Sequence, residues 1–387
     1  MKKLFAIVLV AMMMVLSCAA VASAEGEFKG TVNIGHLAVM SGADDYLGVP
    51  TTYAIQDYLD EVNANGGWLG YEVKLVTYDI GRGVEEVAPA TTKLLDEDKC
   101  IAILGPTYSA GATAAQPIVT EAGVPLIALS ATSAKVTVDE NTGEVYPWMF
   151  RVCFTDDYQS DGIAHFLYSE GITKVAIINC KTNTYSVGMV DLFTEIFKGL
   201  GGEITDVESF YENDVDFRAQ LTNIDNSGCE AIFMPAPNIR YGVLAAQQAR
   251  ELGIEVPFVF PDSVYGAELL EAGEELEDSW ICTGLVDDDP AYDEYRANFL
   301  EKHGVNANIY CYYGLDAVML LEDAVKAADS LDPAKIRDQL ETMTDAPAFT
   351  ENLTIDPATH DPVNKSITLM TIKNGAYEFY KVFDPKV

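Results

Sequence analysis

The chain predicts an α/β fold of two doubly wound lobes, each a parallel sheet covered by helices on both faces. Three observations carry that expectation. Strand-like and helix-like segments alternate from Thr31 to about Val286, and such alternation means parallel strands joined by right-handed crossovers. Several strand segments, among them Cys100–Leu104 (CIAIL) and Lys174–Cys180 (KVAIINC), are near-continuous apolar runs, as sheets buried on both faces require. There are also too many strands for one comfortable sheet, and the rhythm restarts after Tyr146–Asp157 (YPWMFRVCFTDD).

In chain order the strand candidates are Thr31–Val39, Glu72–Asp79, Cys100–Leu104, Pro125–Ser130, Lys174–Cys180, Glu203–Phe210, Glu230–Met234, Pro257–Phe260 and Ser279–Val286. Amphipathic helices separate them, including Tyr53–Ala64, Glu85–Leu95, Tyr185–Leu200 and Asn238–Leu252. Asn65-Gly66-Gly67-Trp68-Leu69-Gly70 precedes a strand, so it is a turn and not a phosphate cradle. Tyr146–Asp157 is an extended connection that crosses between the lobes. A second crossing falls at Thr283–Pro290 (TGLVDDDP), and the helix-rich stretch Tyr292–Thr342 returns to the first lobe. Ser366–Phe383 is a hairpin around Asn374-Gly375, a strong two-residue turn signal. The expected division is residues 28–149 plus 287–348 for lobe one and 150–286 plus 349–387 for lobe two.

Residues 1–24 form a targeting segment: Lys2 and Lys3, an apolar core Leu4–Leu16 too short to span a bilayer, and a small-residue cleavage site Ala22-Ser23-Ala24. The rival reading makes Cys18 a lipid-bearing first residue. Either way the mature protein is exported, to a periplasmic or extracellular location. Of 387 residues about 363 remain (387 − 24), enough for two domains. The segment holds two lysines and no acids, so its removal takes the formal charge from −36 to −38. That charge excludes nucleic acid and anionic membrane surfaces as partners. Six cysteines remain, mostly beside apolar strand residues, where thiols behave as small hydrophobes. There is no CxxC, and His36, His165, His303 and His360 are scattered. No metal site or cofactor is expected.

No catalytic template is met: GxSxG, GxxxxGK[ST], HExxH and a helix-opening GxGxxG are all missing. The informative stretch is Cys100–Thr132, CIAILGPTYSAGATAAQPIVTEAGVPLIALSAT. It reads as a strand, a Gly105-Pro106 turn, a helix opening on Ser109, a Gly123/Pro125 break and a second strand running into Ser130-Ala131-Thr132. Parallel strands end on one edge, so Ser109 and Thr132 flank one crevice. Hydroxyls, free backbone N–H groups and a helix N-terminus there favour an anion such as a carboxylate. With no base or nucleophile beside them, this is a site that holds rather than reacts. Asp262 follows the apolar strand Pro257–Phe260 and therefore also stands at a strand's carboxyl end.

These residues carry a family resemblance. The opening VNIGHLAVMSGADDYLGVPTTYAIQDYLDEVNANGGWLGYEVKLVTYD, with GPTYSAGATAAQPI and IALSAT, resembles periplasmic type I binding proteins for branched-chain amino acids. The resemblance implies two lobes on a three-segment hinge that close on a ligand, a monomeric protein, and delivery to ABC permease subunits in the membrane. It further implies that Ser109 binds the ligand α-carboxylate, that Thr132 contacts carboxylate and ammonium, and that the Ser130 carbonyl meets the ammonium. On lobe two, Asp262 stands where the family pairs a carboxylate with the ammonium, and Tyr185 where a tyrosine closes over the ligand. Tyr46 matches an aromatic near the ligand side chain, with Tyr108 and Tyr310 as further lining candidates. The chain departs from the family in two places. Arg82 and Tyr108 occupy the positions of a lobe-one disulfide, and a lobe-two aromatic is replaced around Pro235–Asn238. An amino acid, branched-chain or aromatic, is the expected ligand; amides, urea or aromatic carboxylates, and a sensory role on the same fold, stay open.

Overall fold

A computed structural model describes residues 28–286, 289–363 and 365–383; the export segment and Cys18 lie outside the described residues. The first sheet is five-stranded and parallel throughout, in the order β2-β1-β3-β4-β5. Its strands are β1 (Thr31–Ala38), β2 (Glu72–Asp79), β3 (Ile103–Leu104), β4 (Leu126–Ala128) and β5 (Met149–Arg151). The second sheet contains β6 (Lys174–Cys180), β7 (Glu203–Phe210), β8 (Ala231–Phe233), β9 (Phe258–Phe260) and β10 (Trp280–Thr283) in the parallel order β7-β6-β8-β9-β10. Two antiparallel strands, β13 (Ile367–Lys373) and β14 (Ala376–Phe383), extend it beyond β10. The apolar runs explain the parallel strands: β3, β4, β8 and β9 are buried at every position.

The same winding occurs twice. In each sheet the chain lays its second strand on one side of the first and then reverses to the other side, so the order switches between β1 and β3 and between β6 and β8. Loops at the carboxyl ends of strands flanking such a switch diverge and leave a crevice.

Two sequence expectations change. Tyr146–Asp157 is not only a connection: Met149–Arg151 within it is the fifth strand of the first sheet, paired with Leu126–Ala128. The run was disguised by Arg151, a charged residue that is nonetheless 0% exposed. Residues 349–363, assigned from sequence to lobe two, make their contacts with lobe one. Leu353 bridges Ala346, the Ile355 amide donates to the Met343 carbonyl, and Thr350 bonds Asp316. His360 stacks on Phe150 at 4.2 Å. This stretch lacks a hydrophobic period, and what places it is a buried ion pair that no local pattern announces.

That ion pair joins Arg151 Nε to Asp361 Oδ1 at 2.5 Å. Arg151 Nη1 donates to the carbonyls of Ala131 (2.7 Å) and Ser133 (2.9 Å), and Nη2 donates to Thr137 Oγ1 at 2.7 Å. One guanidinium thus holds the chain on both sides of Thr132. Asp361→Ala leaves that guanidinium buried without its counter-charge, so stability should fall by about 3–5 kcal/mol in denaturant unfolding; a loss under about 1 kcal/mol would show that the pair carries no such load.

Candidate functional site

The strand-end loops of both sheets converge on one cavity. The loop after β1 contributes Tyr46 and Leu47, the loop after β2 Arg82, the segment after β3 Thr107, Tyr108, Ser109 and Ala110, and the segment after β4 Ser130 and Thr132. From the other lobe come Asn183 and Tyr185 after β6, Pro237 after β8, and Asp262 and Ser263 after β9. Tyr310, near the start of the helix Ile309–Ala328, completes the lining. All eight residues singled out from sequence (Tyr46, Tyr108, Ser109, Ser130, Thr132, Tyr185, Asp262 and Tyr310) line this one space.

On the first lobe, β3 ends at Gly105, whose φ of +87° suits glycine and where a Cβ would lie 2.5 Å from the Leu37 carbonyl oxygen. The turn delivers the chain into the helix Ser109–Ala122. Ser109 is the first helical residue and Tyr108 holds the cap position, so the serine hydroxyl is not consumed in capping. Its Oγ accepts from the Ser133 amide at 3.3 Å and stands 4% exposed. The helix's first amides lack intrahelical partners. Donors, in short, gather on this jaw.

The second jaw carries an acid. Asp262 is 7% exposed in a short 3-10 turn, Asp262–Val264. Its Oδ1 accepts from the Tyr185 hydroxyl at 2.9 Å, and its amide donates to Gln159 Oε1 at 3.2 Å. Burial pushes its carboxyl up to about 6, against the Tyr185 and Gln159 bonds that favour the ionised form. Burial also holds the Tyr185 phenol well above its ordinary value, so it stays a neutral donor. Among the described residues, no lysine or arginine forms an ion pair with Asp262. A cation arriving from the cavity would meet a carboxylate already aimed and desolvated.

Arg82 escaped the sequence reading as a lining residue. Its guanidinium lies 4.8 Å from the Tyr108 ring centre, a cation–π contact. Nη2 crosses to the other lobe and donates to the Pro237 carbonyl at 2.7 Å. Tyr108 is itself pinned, donating to the Gly83 carbonyl at 2.7 Å. Thr107, Asn183 and Ser263 were also missed; single polar residues in loops leave no periodic signal. Tyr46 and Tyr310 meet edge to face with ring centres 6.0 Å apart and form an aromatic end wall. The six cysteines among the described residues are buried free thiols, and no cluster of potential metal ligands occurs among the described residues.

The chain resembles known proteins along most of its length. The periplasmic binding protein family profile matches residues 31–376. An amino acid binding protein of Pseudomonas aeruginosa is 28% identical, over 80% of this chain and 82% of its own. The leucine binding protein LivK of Thermotoga maritima superposes with a TM-score of 0.81 at 29% identity, covering 92% of this chain and 99% of its own. LivJ of Streptococcus pneumoniae, a branched-chain amino acid transporter substrate binding protein solved with isoleucine, gives 0.81 at 27% identity, covering 92% and 100%.

The raised carboxyl of Asp262 has a stability consequence. A buried acid whose folded value lies above its unfolded value binds more protons when folded, so the ligand-free protein loses stability as pH rises from about 4 to 6. Above that window Asp262→Asn, which keeps an acceptor for Tyr185, should stabilise the ligand-free protein by about 2–3 kcal/mol. Denaturant unfolding at pH 8 checks this; an unchanged or lowered midpoint would mean that the carboxylate is not under strain.

Proposed function

The chain belongs to the periplasmic binding protein family, and from that premise we propose that it captures an amino acid by closing its two lobes and hands it to the permease of an ABC importer. One observation carries the reading: a buried carboxylate on one lobe faces hydroxyls and a helix N-terminus on the other across a single cavity. An amino-acid zwitterion needs both. Its carboxylate takes the Ser109 hydroxyl and the helix amides, with the Thr132 hydroxyl beside them. Its ammonium takes Asp262 and the carbonyl of Ser130. Each charge-assisted bond contributes about 1.5–3 kcal/mol, and only closed lobes deliver the whole set. Tyr185 holds Asp262 in place and covers the ligand, while Tyr46, Tyr108 and Tyr310 surround the side chain.

The similarity to amino acid binding and leucine binding proteins supports the same substrate class. The aromatic end of the cavity favours a branched-chain or aromatic side chain. An aromatic acid without an amine would leave Asp262 buried and unpaired, which argues against that class. Export to the periplasm follows from the family, and among the described residues no helix is long and apolar enough to cross a membrane. Capture as a monomer completes the reading.

A thermal-shift screen of L-leucine, L-isoleucine, L-valine, L-phenylalanine and 4-hydroxybenzoate tests it. An amino acid at a hundred times its dissociation constant should add about 2.7 kcal/mol of stability. Asp262→Ala should weaken that ligand by about tenfold or more. Stabilisation by 4-hydroxybenzoate with no response to any amino acid would overturn the assignment.

A further inference from the structure

Behind the cavity lies a second buried acid that the zwitterion reading does not use. Asp156 opens the helix Asp156–Ser169, where the chain passes from the first sheet to the second, and is 1% exposed. Its amide donates to the Thr132 carbonyl at 3.0 Å. Its Oδ1 accepts from Gln159 Nε2 at 3.1 Å, but its Oδ2 is buried with no hydrogen-bond partner. Gln159 is itself 0% exposed and uses its other end on Asp262, accepting from that residue's amide at 3.2 Å. One fixed side-chain amide thus joins the Asp156 carboxyl to the backbone of Asp262; Asp262 lines the cavity, and Asp156 lies behind it against Thr132.

We propose that Asp156 is a second carboxyl behind the ammonium end of the site: it titrates together with Asp262 so that the pair holds one proton when no ligand is bound, and a bound ammonium expels that proton to solvent. This inference rests on the amino-acid reading of the cleft. The chemistry balances simply, because a carboxyl O–H bond breaks, the proton leaves to buffer, and the ligand's positive charge replaces it. Two ionised carboxylates buried on either side of Gln159 repel each other, and a single proton relieves both. Burial pushes Asp156 up to about 7 and Asp262 up to about 6, with the charge of Asp262 raising Asp156 further.

The groups facing the pair leave little else to neutralise it. Arg151 favours the ionised form of Asp156, but its donors are committed to Asp361, Ala131, Ser133 and Thr137. The Thr132 hydroxyl also favours the anion, and exposed Asp157 sits under the influence of Arg151 and Asp361. Tyr185, Tyr313, Cys153 and Cys282 all feel one or both acids, and burial keeps each of them neutral. None of these groups is a histidine. Asp156 acts through the shared proton and through Thr132, and is a positioning residue.

Calorimetry with L-isoleucine in buffers of different ionisation enthalpy reads the proton directly. Near pH 6 the wild type should release close to one proton per isoleucine, and affinity should fall about tenfold per pH unit as pH drops below about 6. Asp156→Asn keeps the Gln159 bond, and should release less than half as much and flatten the pH profile to under about threefold across the same range. Carbon-13 NMR of aspartate-labelled, ligand-free protein supplies an arm that needs no ligand: an Asp262 carboxyl titrating near pH 6 should move to lower pH in Asp156→Asn. PH-independent affinity, an equal proton count in the variant, or an unmoved Asp262 titration would each overturn the proposal. If isoleucine gives no heat of binding, the amino-acid reading is at fault, and the NMR arm still decides the shared proton.

Discussion

Everything about this cleft follows from the unequal division of charge between its two jaws. One lobe offers hydroxyls and backbone amides; the other offers a desolvated carboxylate, Asp262, held by Tyr185 and Gln159. Neither set satisfies a zwitterion alone. An acid buried without a cationic partner is a cost borne by the folded protein, and it persists where the surrounding structure holds it fixed. In the proposed reading a ligand ammonium relieves that cost, and closure and recognition become one event.

The fold makes this division by repeating one winding. Both sheets reverse their strand order one strand from the start, and both open the resulting crevice at their carboxyl ends. Each cavity residue but Tyr310 follows a strand of one or other sheet. Arg82 then links the jaws through the Pro237 carbonyl and lies over the Tyr108 ring. Arg151 does a quieter job, fixing the Ala131 and Ser133 carbonyls on either side of Thr132 and tying that loop to Asp361 from the chain's final return.

What was legible in the sequence had a period or a motif. Lys174–Cys180 was readable to the residue because burial on both faces leaves its mark on composition, and Glu203–Phe210 because it stands between two helix-like segments. The GPTYS turn exposed Ser109 because the strand, the turn and the helix start lie within one short stretch. What was hidden depended on partners far apart in the chain. Arg151 obscured its own strand because its charge is cancelled by Asp361, 210 residues away. Asp156 reads as an ordinary first-turn acid until Gln159 and Asp262 are placed beside it. The segment 349–363 went to the wrong lobe because its ties to Asp316, Met343 and Arg151 are tertiary.

Small-angle X-ray scattering gives the most direct test of opposed anchors on hinged lobes. L-isoleucine, which presents both charges, should reduce the radius of gyration of the wild type. Its deaminated analogue 3-methylvalerate and its methyl ester should each leave the radius at the ligand-free value. Equal compaction by a ligand lacking either charge, or none by any amino acid that binds, would contradict the account.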